Sequence, residues 1–255
     1  MASSDLNILP SCTVNHTAST NNPLPFVMKF DRNGTCVWAA YVDTAEPNVY
    51  AHGIDGSMGS TSKIAIDSNE NVYLVSSFYS NPNNRVAEYG SISVTVSGVY
   101  SNIVSKINNN GTWEWAVNAH EVSPGYANAP NSITIDPFDN VWVAYKTGNE
   151  NAMIISKYNN SGFWQGSSAT FGGSGSSVVQ SHDLHTDSFG DLYLVGSFAN
   201  SFGYTLQNGT GGTLSCSSCW SGFVAKFDSN AELLWITQAS SSSSIPSLSK
   251  SSSSP

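Results

Sequence analysis

The sequence predicts an all-β protein built from repeated β-hairpins, and three observations support this fold class. Two short hairpin patterns alternate along the 255 residues, each with the two-residue apolar alternation of a pleated strand. No apolar period of 3.6 residues extends far enough to predict a helix. Hydrophobic residues make up 40% of the chain, which is enough to build a core between sheets.

The first pattern is an apolar strand with a Lys, a tight turn, and a second strand with a Trp. Its Asn-Gly or Ser-Gly pairs tolerate the positive φ that tight turns demand, so each copy predicts a hairpin. Lys and Trp are nine residues apart in three full copies, and a fourth copy is shortened. The pairs are Lys29 and Trp38, Lys106 and Trp115, Lys226 and Trp235, and, in the shortened copy, Lys157 and Trp164.

The second pattern is an apolar strand that ends in Asp, a short turn, and a strand with an aromatic residue six positions after the Asp. The pairs are Asp67 and Tyr73, Asp136 and Trp142, and Asp187 and Tyr193. An Asp side chain can accept hydrogen bonds from turn amides, so this pattern also predicts hairpins. Residues 91–96 predict an added strand between two hairpins, and residues 204–214 carry a weaker signal of the same kind.

Joined in order, the two hairpins make a four-stranded antiparallel meander. Three complete meanders fit the sequence, at about 62–119, 131–168 and 181–239, and a lone hairpin at 26–43 precedes them. Repeated four-stranded units are typical of β-propeller blades. We therefore expect residues 25–239 to form a β-propeller-like array of three full blades and an N-terminal half blade.

The two ends of the chain differ from the repeats. Residues 1–24 form an N-terminal segment, in which residues 5–17 could supply an inner hairpin and bring the array to four blades. Residues 240–255 hold 11 Ser in 16 positions, which predicts a low-complexity tail or linker. The start of the chain lacks the basic and long apolar regions of a signal peptide. The protein is then not secreted in the usual way, has lost a leader, or reaches the outside within a particle.

The repeats resemble the bacterial family known as the seven-bladed β-propeller repeat, whose copies read approximately "IAVDSSGNVYVTGSF … FVAKFDSSGNLLWA". The matching segments are Ile64–Phe78, Leu192–Phe198 and Phe223–Trp235, and the resemblance covers most of residues 26–239. It implies the propeller fold and an extracellular or surface-associated repeat without an assigned catalytic site. Three blades and a hairpin fall below the four to eight blades of closed propellers.

Composition excludes several classes of function. Nine Lys and Arg stand against 18 Asp and Glu, for a net charge of −9, and no basic stripe predicts a nucleic-acid partner. No stretch approaches the roughly 20 apolar residues that cross a bilayer, so no membrane insertion is expected. Charged residues are only 11% of the chain, a composition common in extracellular, cell-surface and virion-associated proteins. Nothing in the sequence predicts a cofactor.

The four cysteines are Cys12, Cys36, Cys216 and Cys219, and they allow three pairings. A structural zinc site usually needs four ligands, and no second Cys or His pair lies at a matching spacing. A redox Cys-x-x-Cys opens a helix after a strand, whereas a strand follows Cys219. Disulfides or structural thiols are the expectation that remains.

Asp67, Asn69 and Asn71 resemble the first half of a calcium loop, but the Gly and the distal Glu of such a loop are absent. The alternative is a turn-capping Asp in every blade. Recurrence of the Asp favours capping, because an architectural requirement repeats with the blade. No metal site is therefore predicted, and these three residues are the candidates should one exist.

His182, Asp183, His185 and Asp187 form the densest ionisable cluster of the chain. On a strand, the last three of them share one face. The equivalent positions in the other repeats carry no such pair of groups, so this cluster is a candidate ligand, metal or catalytic site. The alternative is a packed or channel-lining structural role.

The repeated Trp and Lys residues have two interpretations, an aromatic glycan-binding surface or a seal of one blade against the next. Their fixed position in each repeat favours the seal, with Trp38, Trp115 and Trp235 expected to be mostly buried. A sialidase is excluded because Arg32 and Arg85 are the only arginines, and such sites need three.

We expect a non-catalytic structural or adhesive surface module of a cell envelope or virion. Its partners would be protein neighbours in an assembly or further domains of a longer chain. A glycan- or protein-binding propeller is the alternative, and a hydrolase or lyase that uses His182 and His185 is the third hypothesis.

Overall fold

The structure, a computed structural model, consists of β-strands throughout its regular elements. It describes residues 6–9, 12–14, 25–44, 49–51, 62–80, 85–96, 100–119, 130–146, 153–171 and 178–239. Within these ranges all paired strands are antiparallel and no helix occurs, which confirms the all-β prediction. The Ser-rich segment 240–255 lies outside the described residues.

The N-terminal part of the chain forms two separate hairpins. Its strands are β1 (Leu6–Leu9), β2 (Cys12–Val14), β3 (Phe26–Phe30), β4 (Cys36–Tyr41) and β5 (Val49–Ala51). β1 pairs with β2, and β3 pairs with β4 to form what we call the lead hairpin. β1 and β2 therefore pair with each other, and neither adds a strand to β3 as far as the structure describes the chain. The remainder of the expected inner hairpin lies outside the described residues.

The first sheet follows the lead hairpin. The strands of this region are β6 (Lys63–Ile66), β7 (Val72–Ser80), β8 (Arg85–Tyr89), β9 (Ile92–Val96), β10 (Tyr100–Ile107) and β11 (Trp113–Asn118). β7 is central, with β10 and then β11 on one side and both β6 and β5 on the other. β8 and β9 form an insert hairpin of their own, which confirms the added strand expected at 91–96.

The second and third sheets are four-stranded meanders in sequence order. The second consists of β12 (Pro130–Ile135), β13 (Val141–Lys146), β14 (Met153–Tyr158) and β15 (Trp164–Phe171). The third consists of β16 (Val178–Thr186), β17 (Leu192–Thr205), β18 (Gly211–Phe227) and β19 (Leu233–Gln238). β17 and β18 continue past their neighbours as a two-stranded extension, after a register shift next to Asn200.

The turns between strands share one design. An Asp or Asn side chain accepts hydrogen bonds from the backbone N–H groups two and four residues later, and the residue three positions later has positive φ. The seven capping residues are Asp31, Asp67, Asn108, Asp136, Asn159, Asp187 and Asp228. The Asp and Asn residues of both sequence patterns therefore shape the hairpins.

The core lies between successive sheets, because each sheet is apolar on both faces. Val27 and Ala40 of the lead hairpin pack on Leu74 of the first sheet. The first sheet then packs on the second, and the second on the third, through separate buried clusters. The insert hairpin covers the outer part of the first sheet. In the described part of the chain, no cluster joins the third sheet back to the lead hairpin, so the sheets do not close on one another.

The register corrects one sequence assignment. Lys29, Lys106 and Lys226 lie opposite Trp38, Trp115 and Trp235, as the nine-residue spacing predicts. Trp164 instead lies opposite Tyr158, at the position that Trp113 occupies opposite Ile107. Grouping Trp164 with the other three was therefore wrong, since a spacing of seven residues places it one pair closer to the turn.

Candidate functional site

The cluster at 182–187 lies on β16, an edge strand of the third sheet. A register shift between Ser181 and Asp183 places His182 in a bulge, where a ring nitrogen of His182 is 2.8 Å from Ser197 Oγ. Asp183 and His185 are both exposed, on either side of the buried Leu184. The bulge is what makes the two histidines and Asp183 accessible together.

Asp187 does not join this group. It caps the turn after β16, and its carboxylate lies 3.4 Å from Lys226 Nζ. Burial raises the pKa of Asp187, but the backbone N–H groups of Phe189 and Asp191 and the nearby Lys226 outweigh it and lower the pKa overall. Hydrogen bonds from Lys226 to Asp191 and Tyr193 raise the pKa of the Lys226 ammonium, so this pair stays charged. Across the described residues, no three His, Cys, Asp or Glu side chains are arranged to hold a metal ion.

Asp67 uses both of its carboxylate oxygens within the protein. Oδ1 accepts the backbone N–H groups of Asn69 and Asn71, and Oδ2 accepts Asn71 Nδ2 at 2.8 Å and the Tyr73 hydroxyl at 3.1 Å. Burial raises the pKa of Asp67, yet these hydrogen bonds more than offset it and hold the pKa below its ordinary value. Asn69 donates its backbone N–H to Asp67, as a residue in a capped turn does. A calcium ligand would instead have to present an oxygen atom to the cation.

In all three sheets the repeated Lys lies over the aromatic ring opposite it, an arrangement that sequence reasoning missed. In the second and third sheets the Lys also contacts the Asp that caps the preceding turn. In the second sheet Lys157 Nζ lies 4.8 Å from the Trp142 ring centre and 3.5 Å from Asp136, while Trp142 Nε1 donates to the same carboxylate at 3.2 Å. This combines a cation–π contact with a charge-assisted hydrogen bond. The equivalent cations lie over Tyr73 and Tyr193, at 5.5 and 4.9 Å from the ring centres.

The repeated lysines are therefore largely covered, and they do not form an exposed glycan-binding row. The side chain of Lys106 is buried, with Glu114 at 3.0 Å and Asn160 Oδ1 as a further partner in the next sheet. The constant six-residue spacing from Asp to the aromatic residue was the sequence signal that could have indicated the Lys–aromatic contact. Only the strand register, which places each Lys opposite the aromatic ring, reveals the contact.

Two of the repeated tryptophans seal one sheet against the turn of the next. Trp38 Nε1 donates to the carbonyl oxygen of Asn109 at 2.9 Å, and Trp115 Nε1 donates to that of Asn160 at 2.8 Å. Both indoles are half-buried. Trp235 is 41% exposed, so the expectation that it would be mostly buried was wrong. The physical reason is that no turn within the described ranges covers it, whereas turns of the next sheet cover Trp38 and Trp115.

An open groove of about 600 Å³ lies beside the β17–β18 extension. Its walls include Tyr204, Gln207 and Glu232, and the extension is held there because Gln207 N–H donates to the Leu233 carbonyl oxygen at 2.8 Å. An aromatic ring next to an amide and a carboxylate can contact and hydrogen-bond a sugar. Sequence reasoning noted the region only as a weak strand signal.

The four cysteines form two disulfides, Cys12–Cys36 and Cys216–Cys219, with Cα–Cα distances of 6.0 and 5.5 Å that suit such bonds. The first ties the hairpin of β1 and β2 to β4, and the second lies within β18. Cys36 is buried, and it shares the face of the lead hairpin that carries Phe30. In the described residues no free thiol remains for metal or redox chemistry.

Helices long and apolar enough to span a membrane are absent from the described ranges. No protein-family model matches the chain, and no curated protein matches its sequence.

Proposed function

We propose that this chain is a non-catalytic structural or adhesive module of a cell envelope or virion surface, built as a β-propeller-like array. The observation that carries the proposal is how the polar groups of the repeats are used. The Asp and Asn residues cap turns, and the repeated lysines bind aromatic rings and carboxylates of their own or the next sheet. The chemistry-bearing residues of the repeat thus hold the array together.

The propeller-like arrangement is supported by two features of the sheets. Successive sheets pack face to face in chain order, and the second and third are four-stranded meanders. The Trp-to-turn contact recurs at successive junctions with nearly the same distances. The resemblance of the repeats to propeller sequences points the same way and rests on the residues alone.

A surface location is supported by the two disulfides, since such bonds persist in oxidising environments outside the cytosol. The test is labelling with antibodies raised against the folded chain. We expect them to bind intact cells or particles of the source without permeabilisation. Labelling only after permeabilisation would contradict the proposal.

Glycan binding is the second candidate, and the groove at Tyr204 favours it over other ligands. The test is a glycan array probed with the labelled chain and with the Tyr204→Ala variant. Thr213→Ala, on the same extension but outside the groove, is the matched control. Binding that is lost only in Tyr204→Ala would establish the groove as a glycan site, whereas no binding leaves the structural role.

The hydrolase or lyase hypothesis has less support from the described residues. The His182 ring bonds Ser197, Asp183 accepts the N–H of Leu184, and Asp187 is held in its turn by Lys226. No third group orients His182 and His185 toward a common point, as acid–base catalysis requires.

A further inference from the structure

The array ends in two faces that carry apolar residues at the register positions that are buried between its sheets. We call the face of the lead hairpin that carries Phe26 and Phe30 the leading face. We call the face of the third sheet that carries Val195, Val224 and Trp235 the trailing face. At each internal junction, a trailing face of one sheet packs on the leading face of the next.

The leading face is covered at Cys36, where Cys12 of β2 is disulfide-bonded to it, but its two phenylalanines are exposed where the equivalent residues are buried. Phe26 is 49% and Phe30 46% exposed. By strand register, Phe30 matches Ile107, Tyr158 and Phe227, which are all buried under a preceding sheet. Phe26 matches Ile103, Ile154 and Phe223, which are also buried, although Ile103 is covered by the insert hairpin and not by a preceding sheet.

The trailing face shows the same difference. Val195 is 47% exposed, whereas its register equivalents Val75 and Ala144 are fully buried in the two internal junctions. Trp235 corresponds to Trp115, which lies on the turn of the second sheet. The trailing face of the third sheet therefore carries the apolar residues that, in the first and second sheets, are buried against a following sheet.

The turns carry the matching signature. A Cβ atom added to Gly111 would lie 2.8 Å from the Trp38 ring, and one added to Gly162 would lie 2.7 Å from the Trp115 ring. Gly34 occupies the same place in the turn of the lead hairpin, but nothing lies within 4 Å of a Cβ added there. Among the described residues, therefore, Trp235 has no turn beneath it and the turn at Gly34 has no Trp over it.

We propose that the trailing face of one copy binds the leading face of a second copy, head to tail. In this junction Trp235 covers Gly34 of the next copy, and its indole N–H donates to the carbonyl oxygen of Arg32, the equivalent of Asn109 and Asn160. Val195 and Val224 pack on Phe26 and Phe30. The inference deepens the proposed structural role, on which it rests, by naming the partner as another copy of this chain.

The occupant follows from continuity with the interface that the chain already makes between its own sheets. A second copy carries both halves of that interface, and in the described part of the chain no buried cluster joins the two end faces. A heterologous contact of this kind either closes into a ring or grows into a filament. Apolar patches of this kind on a soluble protein generally mark an interface.

The test is the mass of the full chain in solution, measured by light scattering and sedimentation. The single chain is 27.1 kDa, and we expect multiples of this mass at high micromolar concentration. Val195→Glu on the trailing face and Phe30→Glu on the leading face each reduce the protein to a single chain. Phe163→Glu is the control, because Phe163 is exposed in the β14–β15 turn of the second sheet, which forms neither end face, and it leaves association unchanged.

Mixing the two end variants is the decisive measurement. Phe30→Glu keeps the wild-type trailing face, and Val195→Glu keeps the wild-type leading face. The two variants together therefore form a two-chain complex that neither forms alone. A wild-type chain that stays monomeric, or a mixture that does not associate, overturns the inference. Thr237→Arg, at an exposed position of the trailing face, replaces Val195→Glu if circular dichroism shows that variant unfolded. Monomeric wild-type protein that still labels intact surfaces would leave the proposed surface role standing while removing this partner.

Discussion

The indole ring of Trp115 lies directly on the α-carbon of Gly162, in the turn of the following sheet. A Cβ atom at Gly162 would lie 2.7 Å from Trp115 Cδ2, and the φ of +83° also disfavours any side chain. Glycine is needed at this turn for both reasons. Gly34 has nearly the same φ, +80°, but has open space where Trp115 lies at Gly162.

Replacing Gly162 by Ala therefore costs more than the same change at Gly34. We expect Gly162→Ala to lower the free energy of unfolding by about 3 kcal/mol, from left-handed strain and displacement of the indole. Gly34→Ala loses only about 1 kcal/mol, because the strain acts alone. Ala231 already occupies the equivalent turn position with φ 66°. Denaturant unfolding of both variants decides this, and equal losses would contradict the Trp115 contact.

Removing the indole should also cost more stability at Trp115, which lies on the Gly162 turn, than at the exposed Trp235. We expect Trp115→Ala to lose roughly 3 kcal/mol, since it removes the ring from the Gly162 turn and the hydrogen bond to Asn160. Trp235→Ala, measured in dilute solution where single chains prevail, loses less than about 1 kcal/mol, because Trp235 is 41% exposed and no described turn lies beneath it. A larger loss for Trp235 than for Trp115 would refute the sealing role.

The repeated pattern was readable from the sequence because it depends on local chemistry. Asp67 and its equivalents cap turns through residues two and four positions later, and the alternation of apolar residues fixes which side chains face a neighbouring sheet. Trp164 shows where local spacing misleads, because it follows a turn of the same length but stands at the register position of Trp113, two residues before that of Trp115.

Other features depend on contacts distant in sequence. Lys157 reaches the Trp142 ring only because β13 and β14 pair in one particular register. The bulge at His182 and the groove beside Tyr204 arise from irregularities in pairing, which leave no periodic signal. The candidate residues at 182–187 were visible as a cluster, but the separation of Asp187 into a Lys226 pair was not.

The Asp67 carboxylate makes stability depend on acid pH. Its pKa in the folded protein is below the ordinary 3.8, so it contributes stability above that pH and loses the contribution as the pH falls through the folded value. We expect Asp67→Asn to lower the free energy of unfolding by about 2 kcal/mol at neutral pH, because one acceptor oxygen for Asn71 and Tyr73 is lost. The difference from wild type then shrinks below about pH 4.

Asp31→Asn is the control for this experiment. Asp31 caps the equivalent turn of the lead hairpin, where its Oδ1 accepts the N–H groups of Asn33 and Thr35 from an exposed position. An Asn keeps that cap, as Asn108 and Asn159 do in other turns. Urea unfolding at several pH values gives the comparison, and a gap that widens in acid for Asp67→Asn would contradict the assignment.

Chelation provides a separate check on the turn-capping role of Asp67. Because the turn fills both carboxylate oxygens with protein donors, we expect EDTA to leave the melting temperature of the purified chain unchanged. Thermal melts with and without added Ca²⁺ measure this. A drop of many degrees on chelation would reinstate Asp67, Asn69 and Asn71 as a cation site.

The two disulfides should differ in their effect on stability, because they close loops of different size. Cys12 and Cys36 are 24 residues apart, whereas Cys216 and Cys219 are separated by three. Restriction of the unfolded chain grows with loop length, so the paired substitution of Cys12 and Cys36 by Ser loses about 3.5 kcal/mol and that of Cys216 and Cys219 about 2 kcal/mol. The larger value also reflects the anchoring of β1 and β2, which the described residues attach to β4 at Cys36. Denaturant unfolding of the two double variants under oxidising conditions tests the order. If the Cys216 and Cys219 variant is the less stable of the two, the first disulfide does not belong to the cooperative unit, and the hairpin of β1 and β2 folds independently of the array.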